Sequence, residues 1–244
     1  MGNELVVPKD VVSVRFHPNV KNVKCGSFQF CYKLNEVVFA SLYGLPSTVV
    51  DIGDHAFYNC LRLTELVLND GLKRIGTSAF SGCFFLKRIV MPPTLIEIEN
   101  EAFKDCSSLK EVVSNGGLKK IGNSSFQSCH SLECITLPST VIEIEDNAFS
   151  SCKKLTKIVL NKGIQKIGYG SFWGCESLQS ITISSTVTQI SNSAFRDCRK
   201  LQKVVLNEGL QKIGEYAFAY CNSLQSINVP STLLPNFKER IKFG

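Results

Sequence analysis

Apolar residues return along this chain on a fixed schedule. Counted from Leu201 they fall at Leu201, Val204, Leu206, Leu210, Ile213, Phe218 and Cys221, offsets of 0, 3, 5, 9, 12, 17 and 20. The same offsets counted from Val11 give Val14, Phe16, Val20, Val23, Phe28 and Cys31. Turns of the schedule begin at Val11, Leu34, Leu63, Leu86, Leu109, Leu132, Leu155, Leu178 and Leu201, with a partial tenth at Leu224. From Leu63 onward the step is 23 residues every time. A fixed period of this size predicts a solenoid, in which each turn touches only its neighbours.

The polar positions sort the elements inside a turn. Glu65-Leu66-Val67-Leu68 alternates with period two and carries β-branched character, which predicts a short strand. Asn69-Asp70-Gly71 turns the chain, and Lys73-Arg74-Ile75 is a second short extended piece. Gly76 ends it. Ser78 to Cys83 has room for a single helical turn, which would put Phe80 and Cys83 on one face. No segment between turn signals is long enough for a longer helix. One turn cannot bury its own apolar face, so stability must grow by stacking. The expected organisation is an N-terminal cap over residues 1–10, a solenoid over 11–233 and a C-terminal cap over 234–244. The second turn carries a six-residue insertion near 40–45.

A two-turn rhythm overlies the period. One type of turn has a bend such as Pro138-Ser139-Thr140. The other has Asn161-Lys162-Gly163 followed by Lys166-Ile167-Gly168. The residue before the second-strand apolar position runs Asp51, Arg74, Glu97, Lys120, Glu143, Lys166, Gln189, Lys212. Stacked rungs would place these about 5 Å apart, where opposite charges attract and a one-rung slip would set like against like. Read as a basic stripe, Arg74, Lys120, Lys166 and Lys212 would face phosphates. The interleaved acids cancel that field, and no nucleic-acid partner is expected.

Composition changes the picture at one point. Hydrophobic residues are 44% of the chain, charged residues 20%, and the net charge is +6, a mild excess. Of the 11 cysteines, nine occupy the position three residues after the repeat phenylalanine. Stacked in register they form a single file. Parallel side-chain vectors hold their Cβ atoms at the full rung step, too far for a disulfide, and a straight file cannot surround a zinc ion. A buried thiol ladder is expected, with Cys25 and Cys134 outside it. No run of 18 apolar residues exists, so no membrane insertion is expected. Met1 to Val6 lacks the apolar run of a secretion signal. The chain as it stands therefore reads as cytoplasmic, and as cell-surface or secreted if a signal has been removed.

The pattern Leu-x-x-Ile-x-Leu-Pro-Ser-Thr-Val-x-x-Ile-x-x-x-Ala-Phe-x-x-Cys, seen from Leu132 to Cys152, resembles the BspA-type leucine-rich repeat. The resemblance covers residues 11 to about 233. It implies an α/β repeat: a curved solenoid with a parallel β-sheet on its concave face and short strands and single helical turns elsewhere. Members of that family are often surface or secreted adhesion proteins that bind other macromolecules.

Candidate chemistry is sparse. His17, His55 and His130 share no metal-ligand spacing and read as solvated loop residues. No nucleophile elbow, phosphate loop or His-Glu-x-x-His motif is present, and Glu97/Glu99 and Glu143/Glu145 recur with the repeat. No enzyme activity, cofactor or metal is expected. The candidate site is the outward row of the concave strands: Glu36, Val38, Glu65, Val67, Arg88, Val90, Glu111, Val113, Lys157, Val159, Lys203 and Val205. The valines answer equally to β-propensity and to an apolar interaction stripe. The row between them runs from acids to bases. It is either a device for orienting a partner or drift on a solvated face. Trp173 reads either as an exposed anchor or as an ordinary surface residue. The expected function is a non-catalytic scaffold binding a protein on this face. A surface adhesin recognising host protein or glycan is the second reading, and a monomer with possible end-to-end association the expected state.

Overall fold

A computed structural model describes residues 7–39, 48–114, 116–231 and 233. The expected insertion at 40–45, the C-terminal cap at 234–244 and most of the N-terminal cap lie outside them.

The turns contribute strands of two kinds around one core. Three-residue strands form the first side: β1 (Ser13–Arg15), β3 (Glu36–Val38), β5 (Glu65–Val67), β7 (Arg88–Val90), β9 (Glu111–Val113), β11 (Cys134–Thr136), β13 (Lys157–Val159), β15 (Ser180–Thr182), β17 (Lys203–Val205) and β19 (Ser226–Asn228). Two-residue strands form the second: β2 (Asn22–Val23), β4 (Asp51–Ile52), β6 (Arg74–Ile75), β8 (Glu97–Ile98), β10 (Lys120–Ile121), β12 (Glu143–Ile144), β14 (Lys166–Ile167), β16 (Gln189–Ile190) and β18 (Lys212–Ile213). The two-residue strands make one continuous nine-stranded sheet. Every pairing is parallel and joins equivalent positions of successive turns, as in Glu143↔Lys166 and Ile144↔Ile167. The chain is a parallel β-solenoid.

The third side corrects the expectation of single helical turns. The described residues contain no α-helix, so the α/β label does not hold. Two residues of every corner instead have positive φ: Ser78 and Gly82, Glu101 and Asp105, Asn147 and Ser151, and so on to Tyr216 and Tyr220. The positive-φ residues stand four apart, and the backbone amides from one to the next alternate in partner. Phe80 N donates to Ala102 O of the next turn (2.8 Å), whereas Cys83 N donates back to Phe80 O (3.2 Å). A helix would commit every amide to its own turn. Here every second one ties the stack together, and the corner becomes a third ladder.

The core is filled by files of identical groups. Phe28 to Phe218 stack with centroids 5.0–5.5 Å apart and planes within 10° of parallel, an offset-stacked arrangement that adds to simple burial. All nine file cysteines are buried and free. Each thiol from Cys60 to Cys221 donates to the carbonyl of the phenylalanine 26 positions or more upstream, as in Cys106 Sγ to Phe80 O (3.3 Å) and Cys129 Sγ to Phe103 O (3.3 Å). The position wants a small apolar group that can still donate one weak hydrogen bond, and cysteine meets both demands.

The two-turn rhythm has a steric cause. Asn100 Oδ1 accepts the amide of Asn123 one turn on (3.0 Å), and Asp54, Asp146 and Asn192 do the same for Thr77, Tyr169 and Glu215. That carbonyl oxygen lies against the glycine that precedes the accepted amide. A Cβ on Gly76 would sit 2.4 Å from Asp54 Oδ1, and one on Gly122 would sit 2.8 Å from Asn100 Oδ1. One turn supplies the Asx acceptor and the next supplies the glycine that makes room.

The charge file pairs across rungs, with one substitution. Arg74 binds Asp51 (2.9 Å) and Lys166 binds Glu143 (2.5 Å), as the register requires. Lys120, however, pairs with Glu99 (3.1 Å), which also lies 3.8 Å from Arg74. Glu99, two residues further along the same turn, takes the part expected of Glu97.

Candidate interaction face

The three-residue strands alternate outward, inward, outward. Leu66, Ile89, Val112, Ile135, Ile158, Ile181 and Val204 enter the core, and the residues flanking each face solvent or are half-buried. All twelve residues singled out from the sequence occupy those outward positions. Glu36, Glu65, Arg88, Glu111, Lys157 and Lys203 lie in one file, and Val38, Val67, Val90, Val113, Val159 and Val205 in the next. Glu36 is in register with Glu65, Arg88 with Glu111 and Val90 with Val113. Val67, Val90 and Val159 are 41–45% exposed, whereas Val38, Val113 and Val205 are half-buried.

Charge along the file is graded. Arg88 Nε meets Glu111 at 2.6 Å and Arg15 reaches Glu36 at 3.6 Å. Past β11 the acids stop. The rung neighbour of Lys157 is Cys134, and those of Lys203 are Ser180 and Ser226, all uncharged. This half of the face carries unbalanced positive charge.

The face is also interrupted, which the sequence pattern does not announce. The three-residue strands form three sheets, β1-β3-β5, β7-β9-β11-β13 and β15-β17-β19. The ladder breaks between β5 and β7 and again between β13 and β15, while the two-residue sheet behind runs through. A cleft opens at each break. One, of about 450 Å³, is lined by residues including Glu65, Leu66, Val67, Leu68, Arg88 and Val90. The other, of about 510 Å³, is lined by residues including Lys157, Val159, Leu160, Lys162, Ser180 and Thr182. At these two junctions the inward leucines Leu68 and Leu160 are only partly buried, although Phe39, Met91, Leu137, Ile183 and Leu206 at the equivalent position are buried. The breaks bare the core.

Two further surface features escape the repeat pattern. Phe84 and Phe85 are exposed, Phe85 by 54%, at a position held elsewhere mostly by polar residues such as Ser107-Ser108 and Lys153-Lys154. At the corner, Arg196 lies over Trp173 (5.4 Å), Tyr216 (5.9 Å) and Tyr220 (5.0 Å). Trp173 Nε1 donates to Asp197 Oδ2 (3.2 Å), so the single tryptophan belongs to a local cation–π cluster.

His17, His55 and His130 are exposed; His130 Nδ1 lies 2.9 Å from Ser151 O and His55 packs edge-on against Tyr58. Burial pushes the file thiols up, to about 12 for Cys60 and Cys221 and well above the ordinary range for Cys83, Cys129, Cys175 and Cys198. They are held protonated, the wrong form for a nucleophile or a metal ligand. Among the described residues no group of three or more His, Cys, Asp and Glu side chains could hold a metal ion, and no helix is long and apolar enough to cross a membrane.

Short parallel strands stacked at a leucine-rich period define a solenoid of the leucine-rich-repeat class. The chain belongs to the BspA-type leucine-rich repeat family, whose repeat region matches in six copies over residues 8–133 and 119–239. It is similar to the leucine-rich repeat protein of T. pallidum, 28% identical over 84% of this chain and 83% of that one, with a TM-score of 0.55. The fold is also that of the pneumococcal vaccine antigen PcpA, 20% identical over 92% of this chain and 62% of that one, with a TM-score of 0.58. No curated protein sequence matches the chain. Proteins of this repeat family are generally protein-interaction scaffolds, and the fold is typically non-catalytic.

Proposed function

We propose that this protein is a non-catalytic scaffold that binds a protein partner on the face built by the three-residue strands, which is the concave face of the stack. The likeness to leucine-rich-repeat solenoids, which curve to make extended concave binding surfaces, supports that assignment. The observation that carries the reading is the exposed valine file. Val67, Val90 and Val159 present β-branched side chains in one outward file, where a solvated face would carry polar groups. Flanking charge graded from acidic to basic gives a partner one preferred direction.

The test is a triple variant, Val67→Lys, Val90→Lys and Val113→Lys, used as bait beside the wild type once its melting curve shows that it folds. Proteins retained by the wild type and identified by mass spectrometry should be lost from the variant. An identical set of captured proteins would remove this face from consideration.

A further inference from the structure

Resting on that reading of the face, we infer that the two breaks in the ladder are paired anchor sites for one extended peptide, which lies along the stack with an apolar side chain in each cleft and acidic residues at the β13–β15 end.

Three observations support the pairing. The clefts are equivalent positions of the repeat, both at a junction from an Asn-type turn to the next turn, and both expose the same core leucine, Leu68 in one and Leu160 in the other. They lie four rungs apart, about 19 Å at ~4.8 Å per rung. An extended chain rises ~3.3 Å per residue, so six residues span from one to the other. Between them runs an unbroken sheet, β7-β9-β11-β13, whose outward valines and Thr136 form a smooth floor.

Charge selects the occupant and its direction. Lys157 and Lys162 line the second cleft, which has no acidic lining residue, and Lys203 stands one rung beyond in the same file as Lys157. In the first cleft Glu65 and Asp70 offset Lys87 and Arg88. A peptide whose second anchor is accompanied by aspartate or glutamate satisfies the unbalanced lysines. One with the order reversed places its acids against Glu65. The ~450–510 Å³ of each cleft exceeds one leucine side chain, so aromatic anchors fit as well.

The experiment is a selection of displayed random 12-residue peptides on the full chain, followed by affinity measurement of individual synthetic peptides against variants at exposed cleft residues. Val67→Lys blocks the first cleft and Thr182→Arg the second; Thr136→Lys alters the floor between them. Enriched peptides are expected to carry two large apolar residues six positions apart with acids beside one of them, and to bind each cleft variant at least tenfold more weakly. Moving the anchors to four or eight positions apart should cost a similar factor. Enriched peptides that ignore both cleft variants but lose binding with Thr136→Lys would overturn the anchor sites and leave the face as the binding surface. Peptides indifferent to all three variants would overturn both, and a selection that yields no shared spacing would overturn the anchors.

Discussion

The corner shows how much one side chain can decide in a stacked structure. At the position preceding the file phenylalanine, Ala56, Ala79, Ala102, Ala148, Ala194 and Ala217 are buried, but three turns carry serine there. The Ser27 hydroxyl donates to Lys24 O, whereas those of Ser125 and Ser171 are buried without a hydrogen-bond partner. A buried donor that gains nothing costs about 1–3 kcal/mol. Ser125→Ala and Ser171→Ala should therefore each raise the free energy of unfolding by about 1 kcal/mol or more, measured by urea titration. A loss of stability from either would contradict the assignment. The cysteines make a second prediction at this scale. Cys25 and Cys134 are exposed and the other nine are buried. A colourimetric thiol reagent added to native protein should label two thiols at once and the rest only as the stack opens. The identity of the core positions was legible in the sequence because the same side chain recurs at each. The positive-φ positions were not, because His55, Glu101, Ser128, Asn147 and Asp197 share no side-chain signature; what they share is the inter-turn hydrogen bond made by their amides.

At the scale of the element, the alternation of turn types was visible but its reason was not. Sequence spacing shows Gly122 and Asn100 22 positions apart; only the stacked backbone shows that one leaves room for the other. Gly122→Ala would drive a methyl group to 2.7 Å from Asn100 N and 2.8 Å from its Oδ1, an overpacking worth about 1–3 kcal/mol. Asn100→Ala removes the acceptor for the Asn123 amide and should cost about 1 kcal/mol. The two sites touch, so they must couple. The double variant should be less destabilised than the sum of the singles, since removing the Asn100 carbonyl oxygen relieves part of the clash. Additive costs in a double-mutant cycle would show that the glycine serves some other purpose. The charge file was legible for Arg74 and Lys166 and misassigned for Lys120, whose partner lies two residues beyond its register mate Glu97. The ladder breaks at β5–β7 and β13–β15 left no mark on the hydrophobic pattern, because both junctions keep the apolar offsets intact.

At the scale of the whole molecule, the thiol file couples stability to pH more steeply than any surface charge. The eight cysteines from Cys60 to Cys221 sit in a dry core that raises every one of their pKa values, with desolvation the leading cause. In the unfolded chain the same thiols ionise near ~8.5. Below that pH both states hold the proton and stability is undiminished. Above it the unfolded state releases protons that the folded state keeps, so unfolding becomes more favourable as pH rises. Each thiol contributes a slope of about 1.4 kcal/mol per pH unit, and eight together roughly 10. Lys120 and Lys166, raised by their bonds to Glu99 and Glu143, act in the same direction once the pH exceeds the ~10.4 of a free lysine. Urea midpoints should hold steady from pH 6 to 8 and fall steeply between 9 and 10, and replacing one mid-file thiol, as in Cys129→Ala, should flatten the fall by about one eighth of its slope. A midpoint unchanged to pH 10 would mean that the thiols are not held away from water as a single file, and the packing that aligns every outward residue on the strand face would fail with it.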